Sequence, residues 1–455
     1  MSTRWAWLLG LTALLLIALL VACSSSYNSS QDGLLVVGSQ GSALLQSYSF
    51  SLASGRIAQV TNSVQDTADL TCQLPGFPYS IVLDPSGSNA YVIVRGNSEC
   101  GTPGNNFIQP YQVNSDGTLT ASGTTVSLNN ANVGVCLSGG GGAYTIESVP
   151  VLPVFLKMDS AGQYLFVADS ATTDSNGNAA PGAVSVLSVN NGALTEVAGS
   201  PFTVPVSCTV PANNLTTLAV SPTVYPPLVN GVPYAVCSKN TPPTSEYLYV
   251  ADSTQTGMIW EFAVDTSTGA LGLPGNYTSI PPFAAGQVPS GIAVDPCNRF
   301  VYVSNQGTSN SISAFSICNG GATQSSLCPS ASILPQGDGS LRAIAAFSNI
   351  SSANFPGQIV VDAYGNYVYV LNGTNNISPF RISPVSGGIT QLTPSPIAAG
   401  LGATSIAIRS DDTWLFVSNF TAATVSQYSM APGTGALTPV PAIQTDNYPY
   451  GLAVK

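Results

Sequence analysis

Five amide or carboxylate side chains recur at one position of a repeated phrase, each at the end of a short, aromatic-led apolar run. They are Asp169, Asp252, Asn305, Asn372 and Asn419. If their oxygens met near one axis, they could bind a hard cation such as Ca²⁺ or a polyhydroxylated ligand. Alternatively, each side chain caps the turn after its own run by bonding to nearby backbone N–H groups. Recurrence favours the capping interpretation, because every repeat needs the same turn.

Three ionisable residues outside the repeated phrase could also do chemistry. Arg95, Glu99 and Glu147 are expected on the same face of the fold as the five oxygens. A guanidinium and a carboxylate together could bind and polarise a carbonyl group, although such residues also occur by chance on any surface. The chain contains no His, so the usual general acid or base near neutral pH is absent. No cofactor is expected, and the question of a metal stays open.

The repeated phrase itself predicts the elements that hold these residues. It comprises a short aliphatic strand such as Ile292–Val294, an aromatic-led strand such as Phe300–Val303, a third strand, and a Gly-x-Leu turn into a fourth strand. Seven copies are present, and the seventh is divided: residues 34–57 supply strands two to four, and residues 451–455 supply a first strand. A four-stranded unit cannot bury both faces alone, so such units stack radially. The sequence therefore predicts an all-β fold, a seven-bladed β-propeller over residues 33–455 that is closed by its own termini.

Strand order also assigns the loops to two faces. Loops between strands two and three share the upper face with the linkers between blades, and the other two loop types share the lower face. Cys72, Cys100, Cys136 and Cys208 fall on the upper face, whereas Cys237, Cys297, Cys318 and Cys328 fall on the lower one. An even number of cysteines in an exported protein indicates disulfides, although buried thiols are the alternative.

A disulfide cannot join the two faces, because they lie a strand length apart, roughly 15 Å, whereas bonded Cα atoms are about 4.4–6.8 Å apart. Within each face, chain proximity predicts four pairs. They are Cys72–Cys100, Cys136–Cys208, Cys237–Cys297 and Cys318–Cys328.

Composition narrows the class of partner. The chain has 455 residues, a net charge of −11 and only ten Lys and Arg residues, thinly spread. Nucleic acid is excluded as a partner, because its binding requires clustered basic residues that displace counterions. We expect a monomer whose partners are the membrane and an envelope protein or glycan.

The N-terminus predicts export. The apolar run Trp7–Ala22 follows Arg4, has signal-peptide length and ends at Cys23. The junction Leu20–Cys23 resembles the bacterial lipoprotein signal, which implies that residues 1–22 are removed and Cys23 is lipidated; a plain secretory signal is the alternative. Residues 23–32 are then a flexible tether. Ser24 suits onward sorting to an outer membrane.

The phrases Gly291–Asn305 and Trp414–Asn419, with the Gly-Ala-Leu-Thr turns at 192–195 and 435–438, resemble the seven-bladed lactonase-like and YVTN-type propellers. The resemblance covers residues 33–455 and implies fold more strongly than activity. Enzymatic members, the 6-phosphogluconolactonase-like proteins, act in the cytoplasm on a phosphorylated sugar lactone. This chain differs in its predicted export and in lacking His, and no family catalytic residue can be placed on it.

Two functions remain open. The first is a lipid-anchored binding or scaffold protein of the cell envelope, with Arg95, Glu99 and the five Asp and Asn residues as candidate ligand contacts. The second is an extracytoplasmic lactonase-like hydrolase related to the 6-phosphogluconolactonase propellers. The absence of His and the turn-like Asp and Asn residues favour the first, so the sequence does not predict an enzyme.

Overall fold

The computed structural model describes residues 32–52, 54–61, 65–67, 76–96, 106–128, 130–136, 144–170, 172–173, 179–204, 214–222, 245–253, 256–272, 282–308, 310–318, 339–344 and 355–455. Within these ranges the chain forms seven antiparallel sheets of four principal strands each. The first strands of successive sheets contact one another in a closed cycle, from the first blade round to the last and back. The predicted seven-bladed propeller is therefore confirmed. The described residues include no helix that is long and apolar enough to cross a membrane.

The four strands of each blade are given from the centre of the ring outwards. Blades 1 to 4 comprise Pro449–Val454, Asp32–Ser39, Leu44–Ser51 and Ile57–Gln59; Phe77–Leu83, Asn89–Arg95, Phe107–Val113 and Leu119–Ala121; Leu152–Met158, Tyr164–Ser170, Ala183–Asn190 and Ala193–Glu196; Leu215–Val220, Glu246–Asp252, Met258–Val264 and Leu271–Gly272. Blades 5 to 7 comprise Pro289–Val294, Phe300–Asn305, Ser311–Ile317 and Leu341–Ala343; Pro356–Val361, Tyr367–Asn372, Asn376–Ile382 and Ile389–Gln391; Ala403–Ile408, Trp414–Asn419, Thr424–Ala431 and Ala436–Gln444. In five blades a further short strand pairs with the third strand: Gln65–Asp66, Val126–Ser127, Phe202–Thr203, Phe283–Ala284 and Ile397–Ala398.

The ring closes through its two ends. Strand Pro449–Val454 pairs antiparallel with Asp32–Ser39, with Val37 opposite Leu452. The N–H of Lys455 donates to the carbonyl of Leu34 at 2.8 Å, which extends the ladder to the last residue. Blade 1 therefore combines one C-terminal strand with three N-terminal strands, as the divided repeat predicted. Its second strand begins at Asp32, one residue before the predicted domain boundary.

Burial decreases from the inner strands to the outermost ones. The second strands of blades 4 to 7 are buried along their whole length, because a neighbouring blade covers each of their faces. Such strands carry continuous apolar runs instead of alternating ones. Outer strands such as Ala436–Gln444 are largely exposed. The apolar cores consequently lie between blades; Phe50 of blade 1, for example, packs 5.0 Å from Phe416 of blade 7, between ring centroids.

Blade 2 corrects one detail of the sequence alignment. The repeated phrase predicts that the aromatic-led strand of blade 2 begins at Tyr91. In the structure Tyr91 lies opposite Val82, which is the register position that Phe166 occupies opposite Lys157 in blade 3. Its strand therefore begins two residues earlier, at Asn89. The error arose because an Asn stands where the other internal blades have an aromatic residue.

The linker before blade 3 is more ordered than predicted. The repeated phrase assigns no strand to residues 129–152 and so predicts a long linker there. In the structure residues 130–136 pair antiparallel with residues 144–150. A second, shorter hairpin pairs residues 172–173 with 179–180. Both hairpins belong to the upper face, where one lies in the blade 2–3 linker and the other in the strand two–three loop of blade 3.

Candidate functional site

The first strands of all seven blades enclose a central cavity, which we call the channel. Its volume is about 740 Å³, and it extends from Tyr79 and Tyr450 at the upper face to Gly87 and Lys455 at the lower face. A cavity of this size is within the range of small-molecule sites. The channel is therefore the principal candidate site among the described residues.

A β-bulge interrupts the first strand of every blade at one position near the upper face. In six blades one residue of the first strand stands unpaired between two consecutive pairs of the ladder. In blade 6 two residues, Gly357 and Gln358, lie opposite Leu371 alone. Bulges re-aim side chains and are common beside binding sites. The residues at these positions line the channel and are all partly exposed: Tyr450, Tyr79, Val154, Thr216, Ser290, Gly357 and Thr404. We call this ring of seven residues the mouth.

Hydroxyl groups of the mouth tie neighbouring blades together. Thr216 Oγ1 donates to the carbonyl of Pro289 at 3.0 Å, and Ser290 Oγ donates to the carbonyl of Pro356 at 2.5 Å. Thr404 makes a longer contact, 3.4 Å, with the carbonyl of Pro449. Each acceptor is the residue before the bulge in the next blade. These three hydroxyl groups are thus held in place by the backbone of the next blade.

One side of the mouth is aromatic. The rings of Tyr79 and Tyr450 lie 4.5 Å apart between centroids, and the Tyr450 hydroxyl donates to the Tyr79 hydroxyl at 3.0 Å. Phe420 meets Tyr450 edge-on and stacks on Tyr448, with centroid distances of 6.2 and 4.7 Å. Aromatic faces of this kind pack against the C–H faces of apolar or sugar-like rings.

Arg95 supports the aromatic side of the mouth. Its guanidinium carbon lies 3.4 Å from the centroid of the Tyr79 ring, and its Nε donates to the carbonyl of Pro153 at 2.8 Å. Burial lowers the pKa of Arg95 from its ordinary value, against the opposing influence of Tyr79 and Tyr450. The buried Nη2 has no hydrogen-bond partner in the described part of the chain. Arg95 therefore brings an incompletely used cation to the upper face, where the sequence predicted it.

The five Asp and Asn residues at the ends of second strands are fully buried and bond within the fold. Asn305, Asn372 and Asn419 each donate from Nδ2 to a Ser hydroxyl on the third strand of their own blade, at 2.9–3.0 Å.

The two carboxylates at this position also accept hydrogen bonds locally. Asp169 accepts from the Ser185 hydroxyl at 2.7 Å, and Asp252 accepts from Trp260 Nε1 at 3.1 Å. These bonds run to side chains of the third strand, and not to backbone N–H groups of the following turn as the capping interpretation requires. None of the five side chains lines the channel. Burial raises the pKa of Asp169 to about 7. Glu99 and the Glu147 side chain, the other predicted site carboxylates, lie outside what the structure describes.

Carboxyl groups at the lower face hold the turns between strands one and two. Asp362 accepts from the N–H groups of Asn366 and Tyr367, both at 2.7 Å, as predicted for a turn residue. Asp412 accepts from the N–H groups of Ala363 at 2.8 Å and Tyr364 at 3.2 Å, across the blade boundary. Burial raises the pKa of Asp362 to about 7 and that of Asp412 to about 8, and repulsion from Asp362 adds to the latter.

Two of the eight predicted disulfide cysteines have described side chains. Cys297 and Cys318 are both buried and disulfide-bonded. The side chains of the other six, and Cys23 at the predicted lipidation site, lie outside the described residues. The four pairs, the signal peptide and the tether therefore stay predictions. The described residues contain no group of three or more His, Cys, Asp or Glu side chains that could hold a metal ion.

Sequence reasoning missed the mouth, although a signal for it exists. A proline stands immediately before the bulged residue in five blades: Pro78, Pro153, Pro289, Pro356 and Pro449. Proline lacks a donor for the strand ladder and is confined to edge strands, strand ends and bulges. Its recurrence three residues before the first aliphatic residue of the phrase marked a ring of bulges at the inner edge.

The comparisons with known proteins agree with this architecture. Residues 241–336 and 330–450 match the family model "Lactonase, 7-bladed beta-propeller". The protein has the lactonase-type propeller fold. No curated protein matches the chain in sequence.

Solved structures show the same fold at low sequence identity. A protein of Bacteroides uniformis provisionally named a 6-phosphogluconolactonase superposes with a TM-score of 0.62 at 14% identity, covering 93% of this chain and 100% of its own. The periplasmic gluconolactonase of Pseudomonas aeruginosa gives 0.61 at 16% identity, covering 93% and 99%. At these identities the likeness establishes fold only.

Proposed function

We propose that this protein is an exported lactonase-like hydrolase that takes a cyclic, polyhydroxylated ester into the mouth of the channel. The observation that carries the proposal is the composition of the mouth. The tilted rings of Tyr79 and Tyr450 share the mouth with three neutral Ser and Thr hydroxyls, and the Arg95 guanidinium lies directly against the Tyr79 ring. Aromatic faces and hydroxyls suit a sugar-like ring, and a cation suits its ester carbonyl.

The chemistry follows from those groups. Water adds to the lactone carbonyl, the ring C–O bond breaks, and a hydroxy acid is released. Arg95 lies against the Tyr79 ring and is not among the residues that line the channel, so it favours the negative charge that develops on the carbonyl oxygen through its positive field and not by direct contact. Glu99, four residues after Arg95, is our candidate for the base that activates water.

Two considerations support an unphosphorylated substrate. The predicted signal at residues 1–22 exports the chain, and phosphorylated sugar lactones are cytoplasmic metabolites of the enzymatic relatives. Arg95 is also partly engaged by Pro153 and Tyr79, which leaves little cationic capacity for a phosphate dianion. The gluconolactonase of P. aeruginosa is periplasmic by name, which agrees with a lactone substrate outside the cytoplasm.

The test is hydrolysis of glucono-δ-lactone by the full chain in detergent, followed in a pH-stat at pH 6.5 against the uncatalysed rate. Arg95→Met keeps the aliphatic stem and removes the cation, and Glu99→Gln removes the candidate base; each should reduce kcat/KM by about 10²-fold or more. Phe355→Ala is the control, because Phe355 is an exposed upper-face aromatic outside the stacked group. Hydrolysis no faster than background, for this and other aldonolactones, would refute the proposal.

A second candidate is a lipid-anchored binding or scaffold module of the envelope. Among the described residues, five large hydrophobic side chains are exposed, and four of them lie at the upper face, in linkers or at the start of a first strand: Leu152, Phe355, Leu401 and Tyr448. An apolar rim of this kind suits a protein or glycan partner. Chemical cross-linking in native membranes should then capture a larger complex that Leu401→Asn with Phe355→Ser abolishes; an unchanged monomer band in the unsubstituted protein would exclude this candidate.

A further inference from the structure

Lys157 is the last residue but one of the innermost strand of blade 3, in the wall of the channel. Its side chain is exposed to the lumen, although strands surround it on all sides. The mouth residue of the same strand, Val154, precedes it by three residues, which corresponds to roughly 10 Å along the strand. Lys157 is therefore a cation inside the channel, below the mouth.

The propeller does not require a lysine at this position. Lys157 pairs with Phe166 of the second strand. Each of the other six blades has a first-strand residue at the same position of its ladder. The six equivalents are all small or medium aliphatic residues: Val82, Ala219, Ala293, Val360, Ala407 and Ala453. Because six blades pack without a charge there, the ring's closure does not explain Lys157.

The ammonium group is also uncompensated. The described residues offer Lys157 no hydrogen bond or ion pair, and the surrounding strands desolvate it, which lowers its pKa. The other charged residues of the channel wall are already engaged: Lys455 Nζ donates to the Gly87 carbonyl at 3.3 Å, and Asp84 accepts from the N–H of Ser88 at 2.7 Å. Because the side chain is exposed to the lumen, an anion that enters the channel can reach the ammonium group. Such an anion would supply the opposite charge.

We propose that the channel binds a small polyhydroxy carboxylate, with the carboxylate paired to Lys157 and the hydroxyl groups directed to the mouth. The distance from Lys157 to the mouth suits a six-carbon chain, and the channel's volume of about 740 Å³ accommodates one. The hydroxyls of Thr216, Ser290 and Thr404 are at the correct end of such a molecule. The choice of a polyhydroxy acid rests on the proposed function, because that is the product class of sugar-lactone hydrolysis. This is a second binding position, distinct from the one in which the lactone carbonyl lies at the mouth near Arg95.

The experiment is calorimetric titration of the full chain in detergent with sodium gluconate. Lys157→Ala introduces the residue that four other blades carry here, so it should fold, and thermal unfolding checks this. We expect Lys157→Ala to weaken gluconate binding at least tenfold, whereas Lys455→Met, which removes the engaged channel lysine, leaves affinity within twofold. Equal affinity of Lys157→Ala and the parent would overturn the inference.

Two further arms separate the alternatives. In separate titrations, inorganic phosphate and acetate replace gluconate. A higher affinity for gluconate than for either anion supports a polyhydroxy carboxylate as the ligand. A higher affinity for phosphate overturns that choice. Measuring lactone hydrolysis in the same samples distinguishes the two proposals. Lysine-dependent gluconate binding without hydrolysis sustains this inference and removes the proposed activity. Hydrolysis without gluconate binding sustains the proposed activity and removes this inference.

Discussion

At the scale of single residues, the fold combines engaged and incompletely engaged charges. Most carboxyl groups that follow first strands, such as Asp159 and Asp362, are consumed by turn N–H groups. Arg95 and Lys157 differ, because each carries donor capacity that the described fold does not use. The repeat makes this visible, since six other blades show what the architecture itself needs. The residues that differ from their equivalents in the other blades are therefore the candidates for function.

The buried pair Asp362 and Asp412 makes stability depend on pH. Burial raises the pKa of these carboxyls to about 7 and 8, above an unfolded value near 3.8. The folded state therefore binds more protons between those values, and stability falls as pH rises from about 4 to 8. We expect Tm to be higher at pH 5.5 than at pH 8.5.

Asp412→Asn should reduce that difference in Tm, because the amide keeps an acceptor for the Ala363 N–H and cannot ionise. Glu246, whose pKa burial raises to about 8, contributes in the same direction and leaves a residual slope. Differential scanning calorimetry at the two pH values measures the effect. A Tm that rises with pH in the unsubstituted protein would contradict it.

At the scale of elements, the hydroxyls of the mouth join neighbouring first strands. Thr216→Val is nearly isosteric, and blade 3 already has Val154 at this position. The change removes the hydrogen bond to the Pro289 carbonyl, so the free energy of unfolding should fall by about 0.5–1.5 kcal/mol. Chemical denaturation measures this loss, and Thr216→Ser, which keeps the hydroxyl, should largely retain stability. Equal losses in both variants would show that the methyl group matters and the hydrogen bond does not.

The turn before the fourth strand of blade 7 shows why the phrase contains glycine. Gly435 has φ of +69°, and an added Cβ would lie 2.4 Å from the ring of Tyr367 in blade 6. Its carbonyl also accepts from the Tyr369 hydroxyl at 2.9 Å. Gly435→Ala should therefore destabilise the protein by about 1–3 kcal/mol.

The same turn provides a matched control. A Cβ added to Gly433 meets nothing within 4 Å, so Gly433→Ala should change the free energy of unfolding little. Chemical denaturation of both variants distinguishes local packing from a general effect of the turn. Similar losses at the two positions would refute the packing explanation.

At the scale of the whole molecule, closure depends on the last strand. Removing residues 449–455 leaves the ladder edge of Asp32–Ser39 unpaired and deletes the buried Leu452. Loss of one buried Leu already costs about 2–5 kcal/mol, so the truncation should lower the free energy of unfolding by at least that amount. Lys455→Ala, which keeps the backbone bonds between Lys455 and Leu34, is the control. A truncated chain that unfolds at the same denaturant concentration as the full chain would contradict closure by this strand.

Attachment of the whole propeller to the membrane depends on Cys23, if the predicted lipid anchor is present. Cys23→Ser should leave an uncleaved or mislocalised precursor, because stable anchoring requires more than one acyl chain. Fractionation of cells and intact-mass measurement of the mature protein test this. Unchanged membrane partitioning of the variant, with residues 1–22 removed, would support a different mode of attachment.

The sequence by itself determined the number of blades, their strand order and the closure. Those features depend on short apolar runs and on a phrase repeated often enough to align. Alignment failed only where Asn89 replaced an aromatic residue and where the linker at 129–152 contained a hairpin that no repeat predicted.

Only the tertiary structure decided the candidate site. A bulge is a mismatch between two paired strands, so Tyr79 and Tyr450, 371 residues apart in sequence, became neighbours only when the ring closed. In the sequence Lys157 is simply a charge in an apolar strand. It becomes a channel cation because the first strand of each blade has a ladder partner on one side and the lumen on the other.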